Sequence, residues 1–248
     1  MTLTLLSYNI KLGGTGREDL IAAVIKAEAP DIVMLQEARR PEVVRRLADA
    51  TGMATAISAP GRSVACLSRV PIATYRYARP RFSQHAFLEV TPKECGMRII
   101  GVHLSAVHAA WTERRRVREL RSLLAATRSQ ADGFHLLAGD FNTLAPNEKF
   151  DVSRLPYRLR VLVWLSGGRI RWQTIAIMLG ADYVDAFRIF DETSPGFTFP
   201  TWDPQVRLDY AFVPKPFAER VLSCRIAGGS PDAKRASDHF PLRVELRC

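Results

Sequence analysis

The stretch Phe134-His135-Leu136-Leu137-Ala138-Gly139-Asp140-Phe141-Asn142 decides the fold of this 248-residue chain. Its apolar residues predict a β-strand, and Asp140 and Asn142 stand where that strand ends. A second string, Ser237-Asp238-His239, precedes an alternating apolar run over residues 240–246, which predicts another strand. Polar residues at strand ends in layered α/β proteins gather in a crevice that binds ligands. The two strings therefore predict one site that contains two carboxylates, an amide and an imidazole.

Further β-like runs also deliver polar residues to strand ends. Three of them, over residues 3–8, 31–36 and 97–102, deliver Asn9, Glu37 and His103 respectively. Another run, over residues 207–213, carries Arg207 and Asp209 on one face, because side chains alternate along a strand. We expect these residues to converge with the first two strings.

Six short motifs occur in a fixed order along nearly the whole chain. They are Ser7-Tyr8-Asn9-Ile10, Leu35-Gln36-Glu37, Val102-His103-Leu104, Gly139-Asp140-Phe141-Asn142, Arg207-Leu208-Asp209-Tyr210 and Ser237-Asp238-His239. This ordered set resembles the endonuclease/exonuclease/phosphatase superfamily, which includes deoxyribonucleases, repair exonucleases, sphingomyelinases and inositol polyphosphate phosphatases. The resemblance implies an α/β fold built as a four-layer sandwich, with two mixed β-sheets packed face to face and helices on the outer faces. A single catalytic domain over residues 1–248 is expected.

The resemblance also implies a metal site. Glu37 would be the principal carboxylate ligand, with Asn9 beside it and Asp238 reaching the ion directly or through water. Oxygen-only ligation favours Mg²⁺ or Mn²⁺, and one principal ion is expected. Some family members carry a second acidic residue two positions after the first asparagine, where this chain has Lys11. That departure argues against a second strongly bound metal.

The remaining motif residues would act on the phosphate. Asp140 would position or deprotonate the attacking water, and Asn142 would donate to the phosphorane oxygens as they gain charge. The alternative for this pair is an ordinary Asp-x-Asn turn. His239 would donate to a non-bridging oxygen, with Asp209 fixing its ring orientation. His103 would be a general acid for the leaving group or a phosphate ligand.

Basic residues outnumber acidic ones, with 35 Lys and Arg against 25 Asp and Glu and a formal charge of +10. Such a charge favours polyanionic partners and does not separate nucleic acid from an anionic membrane. A helical pattern over residues 107–128 bears a cationic face, for which phosphate contact and a solvated surface are the two interpretations. That face comprises Arg114, Arg115, Arg116, Arg118, Arg121 and Arg128. We assign substrate binding to Arg115, Arg118 and Arg207, with bracing of Asp209 as the alternative for Arg207.

Residues 152–181 form a basic, apolar insert that contains no acidic side chain. It could pack as an ordinary helical insert, lie on a membrane surface, or offer stacking and charge to a nucleic acid. Its arginines interrupt every window long enough to span a bilayer. The insert therefore leaves the substrate class open.

Taken together, these features favour a Mg²⁺-dependent phosphodiesterase acting on nucleic acid, with DNA preferred, that works as a monomer. A phospholipid, sphingomyelin or inositol-phosphate phosphohydrolase is the alternative enzyme. A binding module that has lost catalysis is disfavoured, because the chain retains every catalytic motif residue. The chain begins on a strand that already carries Asn9, which predicts no signal peptide and a cytoplasmic location.

Two further expectations concern residues outside the motifs. Cys66, Cys95, Cys224 and Cys248 have no close spacing, so we expect free thiols and neither a zinc site nor a short disulfide loop. The histidines that match no motif are expected to be structural, and they are His85, His108 and His135. Four short strand patterns between residues 54 and 90 predict a β-meander.

Overall fold

The computed structural model describes residues 1–79, 83, 85–106, 110–128, 133–146, 148, 151, 153, 160–161 and 173–248. The strands in this part of the chain are β1 (Thr2–Asn9), β2 (Ile32–Gln36), β3 (Thr55–Ile57), β4 (Val64–Ser68), β5 (Ile72–Ala78), β6 (Phe87–Pro92), β7 (Arg98–His103), β8 (His135–Asp140), β9 (Tyr183–Asp185), β10 (Asp209–Pro214), β11 (Val221–Ile226) and β12 (Leu242–Arg247). The α-helices are α1 (Glu18–Glu28), α2 (Pro41–Thr51), α3 (Ala110–Arg128), α4 (Thr174–Gly180), α5 (Ala186–Phe190) and α6 (Ala233–Ala236). Short 3-10 turns cover Leu12–Gly14 and Lys215–Arg220.

The strands form two six-stranded sheets that pack face to face. The order in the first sheet is β11-β12-β1-β2-β4-β3, and the order in the second is β5-β6-β7-β8-β10-β9. Both sheets are mixed, because β1 runs parallel to β2 and β7 runs parallel to β8 while the other pairs are antiparallel. The predicted α/β fold with two mixed sheets is confirmed.

Three apolar layers hold the sandwich together. Side chains from both sheets, among them Leu5, Met34, Leu136 and Val244, meet between the sheets. A second cluster joins the outer face of the first sheet to α1, α2 and α6, and a third joins the outer face of the second sheet to α3 and α4. Successive side chains along a strand point to opposite faces of the sheet. Each sheet therefore has one apolar face toward the other sheet and one toward its helices, which produces the four layers.

The first two helices have typical boundary residues. Ala29 follows the last residue of α1 in a left-handed conformation, its N–H donates to carbonyl oxygens of the last turn, and Pro30 comes next. Helix α2 starts with Pro41 at its first turn and is capped by Gly52 at φ 66°. A proline at the start and a glycine after the end are typical helix boundaries. The predicted start of the third helix, at residues 107–109, lies outside the described residues.

The predicted β-meander between residues 54 and 90 is wrong. Strands β3 and β4 pair with each other in the first sheet, whereas β5 and β6 pair in the second. Each pair is antiparallel, but the chain crosses between the sheets after β4. Local patterns predict strands well but do not specify which sheet a strand joins.

The expectation of four free thiols is also wrong for one pair. Cys95 and Cys248 form a disulfide across 153 residues, while Cys66 and Cys224 are free and buried. The two bonded cysteines pack against the core between the sheets. Their pairing depends on tertiary packing, which cysteine spacing along the chain does not show.

Among the helices of the described segments, none is long and apolar enough to cross a membrane.

Candidate active site

Strand register brings the motif residues to one edge of the sandwich. In the second sheet, Asp140 lies opposite His103 on parallel β7 and opposite Asp209 on antiparallel β10. In the first sheet, Asn9 pairs with Gln36, the residue before Glu37. Neighbouring strand ends therefore deliver these side chains together, as the sequence predicts.

A glycine allows the closest approach at this edge. Gly139 has a φ of 153°, and a Cβ atom there would lie 1.9 Å from the carbonyl oxygen of Val102. Only glycine has no side chain to collide with the neighbouring strand. The Gly139-Asp140 sequence thus sets Asp140 tightly against the end of β7.

Asp140 is buried and its two oxygens are held from different directions. Oδ1 accepts a 2.8 Å hydrogen bond from the Asn142 N–H, and Oδ2 accepts a 2.9 Å bond from the Asn9 side-chain amide. The Asn142 amide donates to the carbonyl oxygen of Leu104 at 3.0 Å. The Asp-x-Asn turn therefore exists, and it also fixes a carboxylate in the crevice.

His239 and Asp209 form the expected orienting pair. Asp209 Oδ2 lies 2.8 Å from His239 Nδ1, and Asp140 Oδ2 lies 3.9 Å from His239 Nε2. Burial opposes a charged ring, but the Asp209 and Asp140 carboxylates outweigh it and raise the pKa of His239 to about 9. His239 is therefore an imidazolium at neutral pH. The ring also packs 4.9 Å from Phe199, measured between centroids.

Burial also raises the pKa of Asp140 to about 7, with His239 opposing the rise and Asp209 adding to it. Asp140 therefore titrates near neutral pH, below His239. An acid and a base with separated pKa values in one cleft are typical of catalytic sites. The ligand atoms of Asp140, Asp209 and His239 lie within 4.8 Å of one another, so this group could also hold a metal ion. Its hydrogen bonding instead indicates a protonated His239 held by Asp209, with the Asp140 carboxylate beside it.

His103 carries a feature that the sequence did not predict. Its ring lies flat on the ring of His85, with centroids 4.6 Å apart and planes within 1°. Burial, His85, His239 and Arg39 hold the pKa of His103 well below its usual value. His103 Nδ1 is buried without a hydrogen-bond partner in the described part of the chain. His103 is therefore neutral and has an unused polar atom.

His85 is a structural residue in the sequence-based prediction, but the structure places it at the site. Burial, Arg39 and Arg115 lower its pKa to about 4, while Glu37 acts in the opposite direction. No motif contains His85, since it approaches His103 only through the pairing of β6 with β7. His135 is structural, because its ring nitrogens meet the Gly133 carbonyl at 2.9 Å and the Tyr183 hydroxyl at 2.7 Å. His108 lies outside the described residues.

The predicted metal ligands meet around one loop. The backbone N–H of Lys11 donates to Asn9 Oδ1 at 3.0 Å, and that of Leu12 donates to Glu37 Oε2. The Lys11 ammonium lies 3.3 Å from Asp238 Oδ2. Two carboxylates and an amide oxygen form a donor set that suits Mg²⁺ or Mn²⁺, and a cationic side chain already rests against one of them. The residues therefore fit a divalent ion.

The C-terminal motif is tied to the first strand by hydroxyl groups. Ser237 Oγ donates to the carbonyl oxygen of Asn9 at 2.6 Å. Thr201 Oγ1 donates to the Ser237 carbonyl at 2.7 Å, and the Thr201 N–H donates to that of Asp238. These bonds position Asp238 and His239 beside Asn9.

The predicted basic residues fall in two environments. Arg115 and Arg118 are exposed on α3, together with Arg114 and Arg121. Arg116 is buried instead, because it pairs with Glu113 at 2.9 Å. The cationic face is therefore smaller than predicted, and Arg128 has no described side chain.

Arg207 is also buried, with 1% of its surface exposed. Its guanidinium lies 2.7 Å from an Asp185 oxygen, 2.9 Å from a Glu148 oxygen and 4.4 Å from the centre of the Tyr210 ring. These contacts, rather than one with Asp209, occupy its charge. Burial removes the case for a substrate contact through Arg207. The insert at residues 152–181 lies largely outside the described residues, apart from Ser153, 160–161 and α4 with its flanks.

A comparison of the sequence with known protein families agrees with the geometry of this site. A model of the Endonuclease/Exonuclease/phosphatase family matches residues 6–239. The chain therefore belongs to this family. No curated protein matches it at a significant level.

Solved structures share the fold. An endonuclease/exonuclease/phosphatase from Beutenbergia cavernae is 21% identical with a TM-score of 0.73, and the match covers 99% of this chain and 71% of that one. An AP endonuclease from Archaeoglobus fulgidus is 17% identical with a TM-score of 0.74, over 99% and 100% of the two chains. The 3′ phosphatase NExo from Neisseria, bound to a product DNA hairpin, is 16% identical with a TM-score of 0.72, over the same shares. At these identities the likeness shows the fold alone.

Proposed function

We propose that this protein is a divalent-metal-dependent phosphodiesterase that hydrolyses nucleic acid, with DNA as the favoured substrate. The observation that carries the proposal is the buried group of Asp140, His239 and Asp209. It places a carboxylate that titrates near neutral pH beside an imidazolium whose orientation is fixed. Membership of the endonuclease/exonuclease/phosphatase family supports the same chemistry.

Asp140 is the base of this proposal. A general base works best when its pKa lies near the working pH, because it is then largely ionised yet still accepts a proton. The bonds from Asn9 and the Asn142 N–H hold both of its oxygens, so its orientation is fixed before substrate arrives. Asp140 would orient the attacking water and take its proton.

His239 and Asn142 would stabilise the charge that develops on the phosphate. The His239 ring is charged at neutral pH, and Asp209 occupies Nδ1, so Nε2 is the nitrogen that donates to a non-bridging oxygen. The Asn142 side chain is a further donor at the same edge. Fixed donors aimed at developing charge make large contributions to catalysis.

His103 fits the role of phosphate ligand better than that of general acid. Its low pKa means that it is not an imidazolium at neutral pH and so lacks the acidic proton that a general acid gives to a leaving group. A neutral imidazole still donates one hydrogen bond, and Nδ1 is without a partner among the described residues. His103 would therefore bind a phosphate oxygen.

Glu37, Asn9 and Asp238 would hold one Mg²⁺ or Mn²⁺. When bound, that ion would act as a Lewis acid on the phosphate. Glu37 has a φ of 58°, a conformation uncommon for a residue other than glycine. Such strain is typical of functional positions and supports a role for this carboxylate.

Two features support nucleic acid as the substrate. The formal charge of +10 and the exposed arginines of α3 favour a polyanion. Among the structural neighbours, one is an AP endonuclease and another, NExo, is bound to a product DNA hairpin. Arg115 and Arg118 would contact phosphates that flank the reacting group.

A substrate panel with purified protein and Mn²⁺ or Mg²⁺ tests the proposal. The panel contains plasmid DNA, an abasic duplex, RNA, sphingomyelin and inositol phosphates, and each is assayed with wild type and Asp140→Asn. We expect DNA cleavage that needs the metal and Asp140. Asp49→Asn, an exposed change on α2, is the matched control and should behave as wild type. Hydrolysis confined to lipid or inositol phosphates would overturn the nucleic-acid assignment, and no hydrolysis at all would overturn the function.

A further inference from the structure

Lys11 occupies an unusual place beside the predicted metal ligands. Its Nζ atom lies 3.3 Å from Asp238 Oδ2 and 5.4 Å from the centre of the Trp202 ring. The ammonium thus has a carboxylate and an aromatic face as neighbours, and both attract a cation. This is a defined position, in contrast to a lysine that extends into solvent.

The loop that carries Lys11 is held at several points. Lys11 and Leu12 both have a φ of 49°, and their N–H groups bond to Asn9 and Glu37. The Arg17 guanidinium donates to carbonyl oxygens of Ile10, Lys11 and Ala236. One loop therefore contacts all three predicted metal ligands, through two backbone N–H groups and one ammonium.

This arrangement limits how many cations the site can take. A positive group 3.3 Å from Asp238 neutralises that carboxylate and repels another cation at the same oxygens. Glu37 receives only a neutral N–H from the loop, so a divalent ion at Glu37 meets less competition. Because the Lys11 contact is with Oδ2 of Asp238, Asp238 would reach an ion at Glu37 through its other oxygen or through water. The charges at the site therefore divide into one place for a metal ion, at Glu37, and one already filled by Lys11.

We propose that the Lys11 ammonium is a resident positive charge that replaces a second metal ion. It takes the place at Asp238 that a second divalent ion would need, and it binds a phosphate oxygen of the substrate beside the ion held by Glu37. The proposal deepens the proposed function and rests on it for the phosphate contact. Its prediction for metal stoichiometry stands apart from any activity.

The first experiment measures Mn²⁺ binding to the full chain by calorimetry and by electron paramagnetic resonance. Wild type should bind one Mn²⁺ tightly. Lys11→Asp should bind two, and Lys11→Met should bind its first Mn²⁺ at least about threefold more tightly because the repelling charge is gone. Lys26→Met removes the same charge from the exposed face of α1 and should match wild type. Two tight ions in wild type, or three Lys11 forms that bind Mn²⁺ identically, would overturn the proposal.

The second experiment measures the phosphate contact. Binding of a DNA oligonucleotide in Ca²⁺ should weaken about tenfold or more in Lys11→Met and recover in part in Lys11→Arg, which restores the charge. Lys11→Met is uncharged and of similar length, and circular dichroism with a urea titration would confirm that it folds. If Lys11→Met keeps oligonucleotide affinity and kcat/KM within twofold of wild type, Lys11 has no such role.

A failure of the proposed function and a failure of the inference about Lys11 give different results. A wild-type protein that hydrolyses no member of the substrate panel contradicts the proposed function, whatever the Mn²⁺ titrations show. A wild-type protein that cleaves DNA but whose Lys11 variants keep wild-type metal and oligonucleotide binding contradicts only the inference about Lys11.

Discussion

Two buried groups of charged residues in this protein differ in how fully they are bonded. Glu113, on α3, accepts hydrogen bonds at one oxygen from the Gln173 N–H and from the N–H and hydroxyl of Thr174, and at the other from Arg116 and Thr143. In the active site, Asp209 Oδ1 and His103 Nδ1 are buried without a hydrogen-bond partner in the described segments. Both oxygens of Glu113 therefore have hydrogen-bond partners, whereas the active site retains buried polar atoms without one.

The difference separates a structural role from a functional one. A buried carboxylate that is fully bonded fixes the chain around it, here joining α3 to the start of α4. A buried group with unused donors and acceptors, and with two carboxylates close together, is costly to the fold and available to a ligand. We therefore expect substitutions in the Glu113 group to lower stability and substitutions in the active site to lower activity.

The largest effect should follow from Glu113→Ala. Loss of this carboxylate removes a buried counter-charge from the Arg116 guanidinium, and breaking a buried ion pair typically costs about 3–5 kcal/mol. The free energy of unfolding from urea titrations measures the change. Glu42→Ala, an exposed change on α2, should shift it by no more than about 0.5 kcal/mol. A Glu113→Ala protein as stable as wild type would remove the contrast between the two groups.

His239→Ala should act in the opposite way. We expect kcat/KM on DNA to fall about a hundredfold or more, because a charged donor to the phosphate is lost. The change in unfolding free energy should be much smaller than that of Glu113→Ala. Turnover within a few-fold of wild type would show that His239 does not act on the phosphate.

The pH dependence of kcat/KM provides a finer comparison. Activity requires Asp140 without its proton and His239 with its proton, so the rate should rise through about pH 7 and fall through about pH 9. The Asp209 charge raises both pKa values, and Asp209→Asn should therefore move both limbs to lower pH. The falling limb should move more, by about one pH unit, because Asp209 bonds directly to His239. A falling limb that stays in place would contradict the proposed pair.

The smallest effect concerns the exposed face of α3. Arg115→Glu with Arg118→Glu should weaken DNA binding in Ca²⁺ and flatten its salt dependence, by about 0.9 in the log–log slope for each phosphate that the protein no longer neutralises. Lys26→Glu with Arg45→Glu reverses the same charge on α1 and α2, against the opposite sheet, and should leave the slope unchanged. Equal slopes in the two double mutants would show that the effect is one of net charge.

Sequence patterns predicted the strands and placed the motif residues at their ends because both depend on local order, whereas the two-sheet architecture was implied by the family resemblance. Asn9, Glu37, Asp140 and His239 each stand at the end or the start of an apolar run, and strand register then brings such ends together. Arg116 could have been recognised as buried, since it precedes Leu120 by four residues on the apolar face of α3. That spacing is the signal that the prediction of a cationic face overlooked.

Other features depend on contacts far apart in the chain. The Lys11–Asp238 ion pair, the stack of His85 on His103, and the Cys95–Cys248 disulfide join residues from different motifs, strands or sheets. No spacing rule in one sequence connects them. The pairing of Arg207 with Asp185 likewise depends on how β9 joins β10.

The central claim is that the buried active-site groups are unfavourable to folding but required for activity. Asp140→Asn tests this claim most directly, because it should lower activity without lowering stability. Burial, with the Asp209 charge adding to it, raises the pKa of Asp140 to about 7, so the ionised form lowers the stability of the fold, fully so above that pH. We predict that at pH 8 Asp140→Asn loses about a hundredfold or more in metal-dependent DNA cleavage while its free energy of unfolding equals or exceeds that of wild type. A variant that cleaves DNA within a few-fold of wild type, or one that loses activity together with stability, would contradict the account.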